Sequence, residues 1–172
     1  MNGLLNLNIK LSLEKIVKHC FYSNRMIDRI CSLLSVKFVM PNTEKVVHPG
    51  LAHRYPALAD DISGYMDDRG CTTIYGETPI GDQEYDAPID CFNKMLELNL
   101  EMELLVKESI TEAFNNGDYT TKAFLESFLL ELISITKDIL TVVDKAEMYG
   151  DSKADWMRFD HDFSDFNVFK VK

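Results

Sequence analysis

Between Pro88 and Gly150 apolar residues recur at three- and four-residue steps in two long stretches, separated by the polar run NNGDYTT. That spacing keeps one face of a helix toward a core, and it predicts two long amphipathic helices, one through Ile110 and Phe114, the other over Phe124 to Val143. Gly117 suits the position just past the first helix, where a left-handed residue ends the turn at little cost, and Asp118 or Thr120 can cap the second. Two helices of about thirty residues joined by so short a link must lie antiparallel.

A second pair precedes them. From Leu11 to Phe38 the residues Leu13, Ile16, Cys20, Ile27, Ile30, Cys31 and Leu34 form one apolar stripe that Pro41 is expected to end. A shorter stripe of Leu51, Tyr55, Leu58, Ile62 and Tyr65 runs to Arg69 and Gly70, a cationic last turn followed by glycine. The link between these two helices, 41–47, is short. The link from the second to the third, CTTIYGETPIGDQEYDAP at 71–88, is long enough to travel the length of a bundle. The expected fold class is all-α, a four-helix bundle with a long crossover between helices two and three, over residues 1–150.

After Gly150 the pattern changes. Phe159, Phe163, Phe166 and Phe169 recur at steps of four, three and three, with Asp160, His161, Asp162 and Asp165 between them. Residues 151–172 therefore read as an amphipathic aromatic tail, a short extra helix that buries its face on its own bundle or on a neighbouring subunit.

Composition sets limits on this picture. A chain of 172 residues, 46% hydrophobic, buries a sufficient core without disulfides or metal. Cys20, Cys31, Cys71 and Cys91 show no zinc-ligand spacing and read as small buried hydrophobes in a reducing compartment. Eighteen Lys and Arg against twenty-eight Asp and Glu give a net charge of −10, with basic residues grouped only at Lys170 and Lys172, so binding to nucleic acid is disfavoured. The N-terminus has no basic region followed by a long apolar run, and no stretch approaches ~18 uncharged apolar residues. A cytoplasmic protein without a membrane span is expected.

At LADDISGYMDDRG, TPIGDQEY and AFNNGDYTTKAFL the sequence resembles the ferritin-like superfamily, and within it the miniferritins of the DNA-protection-during-starvation (Dps) family, over roughly 11–150. The resemblance implies a homo-oligomeric shell, a dodecamer in that family, that oxidises ferrous iron as a ferroxidase, stores it and limits oxidative stress. It also implies a site of histidines from one subunit and an Asp and a Glu on the second helix of its neighbour. With Asp60 in the place of that aspartate, Gly64 stands where the glutamate belongs, and Glu-x-x-His, the usual ferritin di-iron step, occurs nowhere in the chain.

The residues themselves offer two candidate metal sites. His53, Asp60 and Asp67 are spaced by sevens and line one stripe of the second helix, with His48 near its start; imidazole beside carboxylate suits iron, zinc or manganese, and a symmetry mate can complete the site. The alternative lies inside the bundle at Glu103, Glu131 and Asp138, with Glu14 or Asp28, where the competing reading is carboxylates paired with Lys or Arg at the core boundary. His19 reads as a core-edge histidine, and His161 with Asp165 as a further cation contact. The two functions expected are an iron-oxidising, iron-storing miniferritin and a non-catalytic ferritin-like shell or assembly subunit without a redox metal centre.

Overall fold

The computed structural model describes residues 3–170; Lys172 lies outside them. Helix α1 spans Leu7–Val36, four residues earlier than the apolar stripe indicates, because Asn6 accepts the Asn8 N–H at 2.9 Å and caps the first turn. The chain reverses over 37–40, with Val39 in the left-handed region at φ 58°. Pro41 does not simply stop a helix: it opens the next, α2, Pro41–Val47, since its fixed φ and missing N–H suit a first turn. The segment expected to be a loop is therefore helical.

From α2 the chain passes through a π-helical turn, His48–Ala52, into α3, Arg54–Asp68. Pro49 has no N–H for the regular ladder, and His53 donates instead to the His48 carbonyl five residues back, at 3.2 Å. Segments 41–47 and 54–68 thus form one interrupted arm of the bundle.

Helices α4, Pro88–Asn115, and α5, Tyr119–Tyr149, form the expected antiparallel hairpin. Gly117 takes φ 69°, and Asp118, rather than Thr120, caps α5 by accepting the Thr121 N–H at 2.9 Å. The crossover rises along α1: Glu14 accepts from the Ile74 N–H at 3.0 Å, and Arg29 Nε donates to the Gln83 carbonyl at 3.0 Å. Gly81 eases this close passage, since a Cβ there would stand 3.0 Å from Arg25 Cγ and 3.3 Å from the Arg25 carbonyl oxygen. The crossover returns the chain to the far end of the bundle, so α3 and α4 run parallel and each opposes α1. Side chains from all four arms fill one core, with Leu13, Ile27, Tyr55, Ile62, Phe92, Leu98, Leu132 and Ile139 fully buried. Tyr65 stacks on Phe124 at 4.2 Å and closes the α3–α5 seam. No strand occurs among the described residues, and no helix there is long and apolar enough to cross a membrane.

The tail packs on its own bundle. Helix α6, Lys153–Asp162, ends sooner than the aromatic stripe predicts; a 3₁₀ turn follows at Phe163–Phe166, and Asn167 at φ 59° redirects the chain so that Phe169 arrives outside any helix. Phe159 sits among Phe92, Tyr149, Trp156, Phe163 and Phe166. The buried Asp160 accepts from the Thr43 N–H at 2.7 Å, the Thr43 hydroxyl at 2.8 Å and the Asn42 side-chain amide at 3.1 Å, capping the start of α2 from a distant part of the chain. Beyond α6, Phe169 donates its N–H to Asp138 at 2.8 Å and lies against Gly50, where an added Cβ would come within 2.1 Å of the Phe169 carbonyl oxygen. The four cysteines are buried and free. Burial pushes the Cys20 and Cys31 thiols far up and Cys91 up to about 12, so these three are neutral at physiological pH.

Candidate functional site

Ferritin-like di-iron centres need a Glu from each of two helices and a Glu-x-x-His step from the other two, all projecting inward. The centre of this bundle carries other chemistry. Tyr55 donates to Asn99 Oδ1 at 2.9 Å, and Asn99 Nδ2 donates to the Leu132 carbonyl at 3.0 Å and to Thr136 Oγ1 at 2.7 Å. Thr136 donates to Glu103 Oε1 at 2.5 Å, and Lys107 Nζ holds the other carboxylate oxygen at 2.9 Å. Each side chain in this chain of bonds has at least one partner. Burial drives the Tyr55 phenol far above its ordinary range, so it remains a neutral donor. One neutralised carboxylate, an amide, a phenol and a hydroxyl do not fit a di-iron centre.

The in-bundle candidates do not converge. Glu103 belongs to this network, Glu131 pairs with Arg54 at the rim, and Asp138 accepts the Phe169 N–H. Glu14 holds the crossover at Ile74, and Asp28 faces His48.

His53, at the N-cap of α3, and Asp60 and Asp67 along the helix are all exposed and share one stripe. Seven residues correspond to about 10.5 Å of axial rise, too far for one ion to touch two members of the stripe within a subunit. His48 and His53 do meet, with ring centroids 4.5 Å apart. His48 Nε2 lies 3.4 Å from Asp28 and Nδ1 lies 3.8 Å from Glu44, so its nitrogens face carboxylates on opposite sides. His19 is a core-edge residue whose Nε2 lies 2.9 Å from the Leu98 carbonyl oxygen. His161 pairs with its neighbour Asp162 at 2.8 Å rather than with Asp165, and that carboxylate raises its pKa.

Asp60 also belongs to a second arrangement. Asp60, Asp61, Gly64 and Asp68 on α3 face Phe124, Ser127, Phe128 and Glu131 on α5 across an open groove of about 480 Å³ floored by Tyr65. Partial desolvation against the bundle raises the Asp61 carboxyl above the usual carboxylate range; Glu131 and Asp60 add to the rise, and Arg54 opposes it. Gly64 leaves open space in the groove wall, with nothing within 4 Å of a would-be Cβ. Asp61 and Asp68 lie outside the heptad stripe. Their signal was present in the paired acids at 60–61 and 67–68, which widen the stripe toward α5. Among the described residues no three His, Cys, Asp or Glu side chains stand in ligating geometry.

No protein-family model matches the chain, and no curated protein matches it. Among solved structures the chain is similar to a humanized archaeal ferritin, with a TM-score of 0.83 and 17% identity over 93% of this chain and 96% of that one. The fold is that of a ferritin-like helical bundle.

Proposed function

We propose that this chain is a subunit of a ferritin-like homo-oligomeric shell that collects ferrous iron as cargo in the α3–α5 groove, with no oxidation centre inside the bundle. The observation that carries this reading is that Asp60, Asp61, Asp68 and Glu131 line one groove, where partial desolvation first, and then the neighbouring Glu131 and Asp60, make ionised Asp61 unfavourable. A divalent cation in the groove favours the ionised carboxylates, and carboxylate oxygens suit ferrous iron and manganese. The miniferritin resemblance supports the same helix: its aspartate position is Asp60, and His48 and His53 lie on the adjoining turn, available to a neighbouring copy in a shell such as a dodecamer. Asp67 then marks the distal end of the stripe. Because Gly64 replaces the expected glutamate, binding and storage are favoured over fast oxidation.

The bonded network of Tyr55, Asn99, Thr136 and Glu103 favours a second reading, an assembly subunit with no metal chemistry. Anaerobic ferrous titration followed by oxygen or peroxide separates the two. The first reading expects saturable ferrous binding that Asp60→Ala with Asp61→Ala lowers at least about tenfold, and ferric absorbance that grows no faster than buffer. Undiminished binding in that double variant moves the site to His48 and His53; no binding by the wild type leaves the assembly reading.

A further inference from the structure

The α4–α5 face, on the opposite side of α5 from the acidic groove, carries large apolar residues with no cover. Leu100 and Leu104 are 47% and 57% exposed, and Leu130, Ile133 and Leu140 are 69%, 47% and 42% exposed. Leu96 and Leu129 lie partly buried beside them. Helical spacing puts Glu97, Leu100, Leu104 and Lys107 on one outward stripe of α4, and Glu126, Leu130, Ile133 and Lys137 on one outward stripe of α5. Each stripe reads acid, apolar, apolar, base from its N-terminal end.

The two stripes share a height. Asn99 reaches the Leu132 carbonyl and Thr136, which sets the middle of the α4 stripe beside the middle of the α5 stripe. Because the helices are antiparallel, Glu97 and Lys137 occupy one end of the face and Lys107 and Glu126 the other. Charges of opposite sign thus sit on opposite diagonals around an apolar centre.

We infer that this face docks against the same face of a second copy of the chain. A two-fold axis lying in the face and crossing the helices sets Glu97 against Lys107 of the second copy and Glu126 against Lys137, with Leu100 over Leu104 and Leu130 over Ile133 at the centre. Such self-complementarity is what an isologous interface requires. It also limits the self-repulsion expected of a chain with net charge −10, since each of these four rim charges meets one of opposite sign. Lys137 makes no ion pair among the described residues, and Lys107 reaches Glu103 with a side chain 53% exposed. Glu97 and Glu126 pair with Lys94 and Lys122 of their own helices at 2.8 and 2.6 Å, but with side chains 56% and 51% exposed they remain open to a facing lysine as well. The inference does not rest on iron: no residue of the α3–α5 groove takes part.

The test uses the full chain in sedimentation velocity and native mass spectrometry. Leu104→Glu with Ile133→Glu is expected to raise the dissociation constant of this contact at least about a hundredfold while far-UV circular dichroism stays that of a helical bundle. A charge-swap pair keeps the idea falsifiable should that variant fail to fold. Chains carrying Glu97→Lys with Glu126→Lys, or Lys107→Glu with Lys137→Glu, should each fail to pair with themselves but form one-to-one pairs when mixed. Adding Leu104→Ser and Ile133→Ser to both should abolish that rescue. An unchanged dissociation constant in the Glu variants, no rescue on mixing, or a wild type that stays monomeric at all concentrations overturns the inference. Ferrous binding is read separately, and its loss or retention leaves this result unaffected.

Discussion

Removing the Asp160 carboxylate should undock the C-terminal tail before the bundle unfolds. Asp160 accepts three good hydrogen bonds from residues 42 and 43, two of them from Thr43 at 2.7 and 2.8 Å, and it is 5% exposed. A helix N-cap is worth about 1 kcal/mol, hydrogen bonds to a charged group about 1.5–3 kcal/mol, and a stranded buried N–H costs a further ~1–3 kcal/mol. These overlap rather than add, so Asp160→Ala should cost about 3–4 kcal/mol, which for a domain of this size lowers the melting temperature by about 10 °C. Asp160→Asn retains one acceptor oxygen and should cost roughly half as much. Trp156, the single tryptophan, packs on Phe92 and Phe159 in the same helix and reports docking directly. In urea, Trp156 fluorescence of the Ala variant should shift to the red at a lower midpoint than the far-UV dichroism falls, as expected for a subunit of structure that opens on its own. A loss below about 1 kcal/mol, or coincident fluorescence and dichroism transitions in the variant, would refute the latch.

Two predictions concern the groove. Because the folded-state pKa of Asp61 is raised, its ionised form costs stability above that pKa, and the cost disappears as pH falls through it and below the ordinary carboxylate range. Asp61→Asn should therefore raise the urea midpoint at pH 7, with an advantage over wild type that shrinks on acidification; an advantage constant with pH contradicts the assignment. At Gly64, mid-helix and facing open space, Gly64→Ala should add about 0.5–1 kcal/mol of stability in thermal or urea unfolding. Gly64→Glu should tighten ferrous or manganous binding in calorimetry at least about tenfold by adding a carboxylate to the groove wall, and unchanged affinity would remove the groove from the metal reading.

The helices were legible because their apolar positions repeat: Leu13 to Leu34 and Leu125 to Val143 each keep one face toward the core, and that periodicity survives without any knowledge of neighbours. The α4–α5 turn was equally plain, since Gly117 and Asp118 satisfy purely local demands. Segment 41–52 was not. Pro41 read as the end of a helix, whereas it starts one whose cap arrives from Asp160, 117 residues away from Thr43, and no local signal carries that information. The site divided in the same way. Periodicity put His53, Asp60 and Asp67 on one stripe, and the same spacing by sevens already set its members about 10.5 Å apart along the axis. It carried nothing about the facing helix, so it could not show that Asp61 and Glu131 meet each other's fields across α3 and α5.

Replacing a buried ionic centre by a bonded neutral network need not cost a bundle its fold. A set of inward carboxylates is tolerated only when a cation offsets their desolvation, so without metal such a core is destabilised by several kcal/mol per uncompensated ion. Tyr55, Asn99 and Thr136 satisfy one another with no net charge, and the one remaining acid, Glu103, keeps a lysine at the surface end of the chain of bonds. The core network then needs no metal to satisfy its polar groups, and the acidic cluster lies instead on the outer face of α3, where water screens it and where the proposed cation site is placed. Core stability and the proposed cation binding are therefore separable by experiment. Asn99→Leu should lower stability by stranding the buried Tyr55 hydroxyl without altering ferrous affinity, while Asp60→Ala should do the reverse. A variant in the network that changed ferrous affinity as strongly as one in the groove would place the metal inside the bundle and undo the argument.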